Sequence, residues 1–162
     1  MSTTKLTAFI IPLMLGAPIL AQTPAPNPAP KVAPSGLMGP VLFVSDVARS
    51  VRFYEALGLR VGMQMGPPQR HETILTFGGD PRNPGIILLS DNTAKTPALI
   101  EHGHGYDRTV LRIGDLSAVA TRLQAAGFAP TPIRDVAMGY RMMTAHDPDG
   151  YTFEMVENPK HP

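Results

Sequence analysis

The sequence predicts an α+β fold in which two copies of a βαβββ module build a cup-shaped mixed sheet. Three observations support this prediction. The pattern of residues 41–59 returns about 69 residues later, over residues 110–128. In each copy an aspartate precedes a helical pattern and a glycine follows it. Near the C-terminus, an Asp-Pro-Asp-Gly turn leads into a strand pattern over residues 147–157.

Each copy opens with a short apolar strand, as in the segments 41–44 and 110–113. Asp46 and Asp115 follow these strands, where a side-chain oxygen can accept from the free N–H groups of a first helical turn. Gly58 and Gly127 stand where helices end in a left-handed residue. The expected apolar stripes of the two helices are Val47, Val51, Tyr54 and Leu57, and then Leu116, Val119, Leu123 and Ala126.

Three further strands are predicted after each helix. They are Leu59–Met65, His71–Phe77 and Gly85–Ser90 in the first copy, and Pro130–Ile133, Tyr140–Ala145 and Tyr151–Val156 in the second. Alternation along the last strand places Thr152, Glu154 and Val156 on one face. One module leaves one face of its sheet bare, so two modules can close a cup between these faces.

Composition excludes several functional classes. The 162 residues carry a formal net charge of +1, which argues against nucleic acid as the main partner. The chain has no cysteine, so disulfides, cysteine nucleophiles and thiolate metal sites are excluded.

The N-terminus has the pattern of an export signal. Lys5 precedes an apolar run from residue 6 to residue 20, and Ala21 is a small residue at the expected cleavage site. We therefore predict a signal peptide over residues 1–21 and a periplasmic or secreted protein. The alternative is an uncleaved anchor, which would be the protein's one contact with a membrane.

Residues 22–36 are rich in proline and alanine and are predicted to be a disordered linker. A ligand for a proline-recognition domain is the alternative interpretation. The folded domain is predicted over residues 37–158, with modules at 37–100 and 104–158 and a tail at 159–162.

These motifs resemble the vicinal oxygen chelate superfamily of glyoxalase I, bleomycin-resistance proteins and extradiol dioxygenases. The resemblance lies in residues 43–59, 115–128 and 147–154, where the helix start, the Leu-Gly or Ala-Gly helix end and the Asp-Pro-Asp-Gly turn occur in order. It covers nearly all of the predicted domain and implies the glyoxalase-like fold.

The resemblance also implies four metal-ligand positions, commonly His or Gln, Glu, His and Glu. Glu154 matches one position, whereas the two His positions fall at Arg108 and Gly39. The fourth falls near Leu88, with Ser90 next on the same face. Because Arg, Gly and Leu do not bind metals, we expect no cofactor. A divalent metal is the alternative.

Arg108 and Glu154 are the main candidate binding residues. If the resemblance holds, their strands are neighbours, and the guanidinium can pair bidentately with the carboxylate and replace the charge of the metal. A structural ion pair, or an arginine that extends into solvent, is the alternative. Arg112, Tyr140 and Phe43 are predicted to line the same cup, which suits an anionic or carbonyl-bearing ligand.

The histidines are weaker candidates. His102 and His104 are predicted to be solvated, although a shifted strand register would bring His104 to a ligand position. His71 is interpreted as a surface residue or, alternatively, as a general base. His146 is expected to be exposed.

The sequence thus predicts an exported, metal-independent protein that binds a small molecule in the cup, with a homodimer as a further expectation. The first alternative is a metal-dependent lyase, isomerase or dioxygenase, so the enzyme class stays open. The second is a non-catalytic interaction protein of the envelope.

Overall fold

The computed structural model describes residues 36–91, 93 and 99–159. The predicted signal peptide, the predicted linker up to residue 35 and the last three residues lie outside this range. The described residues confirm two βαβββ modules. The first comprises β1 (Val41–Phe43), α1 (Val47–Leu57), β2 (Leu59–Met65), β3 (Arg70–Phe77) and β4 (Gly85–Asp91). The second comprises β5 (Thr109–Arg112), α2 (Leu116–Ala125), β6 (Arg134–Asp135), β7 (Arg141–His146) and β8 (Thr152–Glu157).

Each module has a four-stranded mixed sheet. The strand orders are β1-β4-β3-β2 and β5-β8-β7-β6. In both sheets the first strand runs parallel to the last one, and the remaining pairs are antiparallel. Among the described helices, none is long and apolar enough to cross a membrane.

Three of the four helix boundaries follow the predicted signals, whereas the C-cap of α2 is Ala126, one residue before the left-handed Gly127. The carboxylate of Asp46 accepts from the backbone N–H of Arg49 at 2.9 Å, and that of Asp115 accepts from Ala118 at 2.9 Å. Gly58 ends α1 in the left-handed region, with φ of 105°.

The two helices and one face of each sheet enclose a core shared by both modules. The ring of Phe53 on α1 packs at right angles to Phe128, with 5.0 Å between centroids, and Tyr54 packs at right angles to Phe153 at 5.3 Å. Phe53 is fully buried although it lies outside the predicted stripe, whereas Ala126 of the predicted stripe is exposed. We call the sheet faces in this core the helix faces and the opposite ones the open faces.

The predicted strand Pro130–Ile133 is wrong, because β6 contains only Arg134 and Asp135. Proline has no N–H to donate to a strand ladder, and this segment has two prolines. It still lies against β7, since the N–H of Thr131 donates to the carbonyl of Thr144 at 2.8 Å.

The Asp-Pro-Asp-Gly turn before β8 forms hydrogen bonds with residues of the first module. The hydroxyl of Tyr54 on α1 donates to Asp147 at 2.7 Å, and the N–H of Ser45 donates to Asp149 at 3.1 Å. Asp147 also accepts from the N–H groups of Asp149 and Tyr151, at 3.0 and 2.9 Å. Burial raises the pKa of Asp147 and that of Tyr54. This turn therefore fixes the start of the strand that carries Glu154.

Candidate functional site

Glu154 lies on the open face of β8. Its neighbours Phe153 and Met155 are fully buried on the helix face, so alternation turns the glutamate the other way. In register beside it are Val110 of β5 and Thr144 of β7. The side chain of Glu154 is 17% exposed, so its carboxylate is largely shielded but open to a ligand.

Arg108 is the partner of Glu154. Its Nε lies 3.0 Å from Oε2 of Glu154, so the pair expected from the sequence forms through one guanidinium nitrogen and is not bidentate. Another nitrogen, Nη1, contacts the carboxylate of Asp107. The hydrogen bond with Asp107, and then the charge of Glu154, raise the pKa of Arg108. The side chain of Arg108 is 44% exposed, so it can also bind a ligand anion.

The other three predicted site residues are not part of the Arg108–Glu154 ion pair. Phe43 lies on the open face of β1, with the guanidinium carbon of Arg70 at 5.4 Å from its ring centroid. Arg112 shares the open face of β5 but forms no ion pair with Glu154 in the described part of the chain. Tyr140 precedes β7, four residues from Thr144, which is about 13 Å along an extended chain.

The open face of the first sheet is apolar, and Phe43 is the one residue of this face that was among the predicted site residues. Phe43, Met63 and Met65 are each more than two-fifths exposed on it. The period-2 placement of the two methionines in β2 was the signal that could have revealed them. The apolar side chains of this face are Val41, Phe43, Met63, Met65, Ile74, Ile87 and Leu89.

The strand register locates the position in the first module that matches Glu154. Val41 and Val110 are equivalent in the repeat, and they pair with Ile87 and Glu154, respectively. Ile87 therefore matches Glu154. The predicted position near Leu88 is wrong, because Leu88 is fully buried in the core on the helix face. Ser90 shares that face and donates to the carbonyl of His71 at 3.3 Å.

The position that matches Arg108 in the first module is Gly39. A Cβ there would lie 1.8 Å from the carbonyl oxygen of Gly85, and the φ of Gly39 is 141°. A histidine therefore cannot replace Gly39 without moving the backbone. Of the four positions that a metal would need, only Glu154 has a ligand atom, so the residues do not fit a bound divalent ion. Within residues 36–91, 93 and 99–159, no three His, Asp or Glu side chains are grouped for a metal.

Four histidines lie within the described range. His104 and His146 are exposed, as predicted. His71 is partly buried, and its Nδ1 lies 3.4 Å from the carbonyl of Gly66. The prediction that His102 is solvated is wrong, because its Nε2–H donates to the carbonyl of Asp149 at 2.8 Å and its ring packs on Tyr151. His102 therefore has a structural role beside the turn. His161 lies outside the described residues.

The two βαβββ modules, with a carboxylate on the open face of the last strand, define a glyoxalase-like domain. The family described as the Glyoxalase/Bleomycin resistance protein/Dioxygenase superfamily matches residues 36–155. The chain belongs to this superfamily.

Similar proteins include a probable lactoylglutathione lyase of Vibrio parahaemolyticus. It is 28% identical over 123 residues, which cover 73% of this chain and 87% of that protein. Glyoxalase I of Zea mays has a TM-score of 0.67 and 23% identity, over 78% of this chain and 46% of that one. The trypanothione-dependent glyoxalase I of Leishmania major has a TM-score of 0.63 and 20% identity, over 76% and 87% of the two chains. At these identities the two structures support the fold alone.

Proposed function

We propose that this protein is an exported, metal-independent member of the superfamily that binds a small molecule on the open faces of its two sheets. One observation carries the proposal. A side-chain cation, Arg108, lies 3.0 Å from Glu154, at the position where the relatives' pattern calls for a metal ligand. The guanidinium is permanently charged and can take the role of the metal cation.

The chemistry of the two open faces indicates the kind of ligand. The first sheet offers apolar side chains around Phe43 and Met65, while the second offers Arg108 and Glu154. A suitable ligand has an apolar body and a carboxylate or carbonyl group that accepts from the guanidinium.

A metal-dependent lyase is the second candidate, because a relative that matches most of this chain carries the name of a lactoylglutathione lyase. Elemental analysis of the purified protein separates the two. We expect far less than one divalent ion per chain. One tightly held ion per chain would overturn metal independence.

Ligand binding can be screened with apolar antibiotics, aldehydes and small aromatic acids such as benzoate. We expect at least one class to raise the thermal midpoint of the unaltered protein. The rise should be smaller in Glu154→Gln, because its neutral amide no longer orients Arg108. If no compound raises the midpoint, the non-catalytic interaction role becomes the better interpretation.

Export is tested separately by mass spectrometry of the protein from fractionated cells. We expect a mature chain that begins near Gln22 outside the cytoplasm. A full-length chain in the cytoplasmic fraction would contradict export and leave the binding proposal untouched.

A further inference from the structure

A cleft of about 420 Å³ lies between the two modules. It reaches Val110, the strand neighbour of Glu154, but Arg108 and Glu154 do not line it. It lies where the turn before β4 approaches β5. Its lining includes Leu37, Phe77, Pro84, Thr109, Val110 and Leu111. Among the described residues that line the cleft, none carries a charged side chain. Its volume lies within the range of small-molecule sites in proteins.

The internal repeat shows which part of the second module corresponds to this cleft. Because Ile87 matches Glu154, counting back three residues matches Pro84 to Tyr151. Counting back seven matches Asp80 to Asp147. The turn beside the cleft is therefore the counterpart of the Asp-Pro-Asp-Gly turn, which hydrogen-bonds to the first module.

An aromatic ring fills the matching space at the other turn. Tyr151 is 9% exposed, and its ring packs at right angles to His102, at 4.4 Å between centroids, and to Tyr106, at 5.6 Å. In the first module the short, exposed ring of Pro84 stands at that position. The space that the phenol ring of Tyr151 occupies beside one turn thus stays open beside the other turn, at Pro84.

We propose that this cleft is a second binding site, for a small uncharged aromatic molecule of the phenol or naphthol class. Large apolar side chains stay exposed around it, with Leu37 at 79%, Val110 at 54% and Phe77 at 39%. A bound ring removes this apolar surface from water, which favours binding. A charged ligand would lose its hydration without gaining a partner charge.

The polar side chains of the lining restrict the ligand further. The hydroxyl of Thr109 lies 2.8 Å from that of Tyr106, and the amide of Asn83 donates to the carbonyl of Phe77 at 3.4 Å. Both groups keep spare acceptor capacity, so one hydroxyl on the ring can find a partner. More polar substituents would be desolvated without compensation.

The test uses 1-naphthol titrated into the mature protein, followed by amide chemical shifts. We expect saturable binding, with the largest shifts at residues 109–111 and around Pro84. Pro84→Tyr places a phenol ring where the repeat has one and should weaken binding at least tenfold. Arg82→Tyr is the matched control, because it adds the same ring to the same turn at an exposed position outside the cleft. It should leave the Kd unchanged.

Leu37→Asp provides a second variant, since it adds a charge at a highly exposed lining position with little risk to folding. It should also weaken binding. The proposal is overturned if 1-naphthol does not bind saturably or if Pro84→Tyr, still folded by its thermal melt, binds as well as the unaltered protein. Shifts confined to Phe43, Met63 and Met65, on the open face of the first sheet, would also overturn it, while leaving the open-face proposal intact.

Discussion

The two modules share one backbone plan but use matching positions differently. The second module presents Arg108 and Glu154 on its open face, whereas the first has Gly39 and Ile87 at the same places. One copy therefore supplies charge and the other supplies apolar surface. The repeat preserves strand order and the aspartate N-caps of the helices, while single residues decide the chemistry of each half.

The matching aspartates Asp147 and Asp80 show the same divergence. Asp147 is 5% exposed and accepts from the hydroxyl of Tyr54, and burial raises its pKa. Asp80 instead accepts from Arg82 within its own turn, and this hydrogen bond lowers its pKa to about 2. The residue that matches Tyr54 on α2 is Leu123, which has no hydroxyl to offer. Within the described part of the chain, hydrogen bonds therefore tie the second turn to the other module but not the first.

Asp147→Ala is expected to have the largest effect on stability. It leaves three donors near the core without their acceptor, which should cost about 3 kcal/mol of unfolding free energy. Chemical denaturation measures the loss. Asp80→Ala is the matched change in the first module and should leave the denaturation midpoint nearly unchanged. Equal losses would contradict the proposed difference between the two turns.

Tyr54→Phe is expected to have the next largest effect. It removes the hydroxyl that donates to Asp147 but keeps the aromatic packing with Phe153. A carboxylate that loses one of its buried donors should cost roughly 1–2 kcal/mol. Combining Tyr54→Phe with Asp147→Ala should add less than the sum of the two separate losses, because both remove the same hydrogen bond. Full additivity would show that the two side chains are not coupled.

The two aspartates should also respond to pH in opposite directions. The folded pKa of Asp147 is raised, so its contribution is fully present below the unfolded pKa near 3.8 and is lost as pH rises through the folded value. The folded pKa of Asp80 is about 2, so its contribution is present above 3.8 and is lost as pH falls toward 2.

Denaturation curves of Asp147→Asn and Asp80→Asn across this pH range measure these contributions. Relative to the unaltered protein, Asp147→Asn should gain stability as pH rises above 4. Asp80→Asn should gain slightly as pH falls below 4. If both variants gained stability in the same pH direction, the opposite pKa shifts assigned to Asp147 and Asp80 would be refuted.

Glu154→Gln should have the smallest effect on stability. Arg108 is 44% exposed and keeps Asp107 as a partner, so the fold loses little. Binding of any open-face ligand found in the screen should nevertheless weaken severalfold. Glu72→Gln, the matched removal of a carboxylate from the open face of the first module, should leave that affinity unchanged. Calorimetric titration compares the two variants. Equal losses of affinity would contradict the assignment of the ligand's polar contact to Glu154 and Arg108 in the second module.

The sequence predicted the features that depend on local signals. Asp46, Asp115 and Gly58 bounded helices where they were expected, because capping is decided by neighbouring residues. The outward face of β4 was not predictable. Its residues 86–90 are all buried, so alternation gives no sign of which ones face the helices. The register with β1 resolves this and replaces Leu88 with Ile87.

Contacts between distant residues account for the other errors. His102 looked solvated in a Gly-rich segment, but it bonds to the carbonyl of Asp149, 47 residues away. The tie between Tyr54 and Asp147 spans 93 residues and has no sequence signal beyond the two residues themselves. The pair of Arg108 and Glu154 was predictable because the family resemblance supplied the strand pairing.

Metal titration tests the central claim most directly. Mature protein is stripped with chelator, and Zn²⁺ and Ni²⁺ are then titrated by calorimetry in parallel with Glu154→Gln. Metal independence predicts that the two proteins behave alike, with no stoichiometric site in either. Tight binding of one ion per chain that Glu154→Gln abolishes would contradict it, since the carboxylate would then hold a metal and not the guanidinium of Arg108.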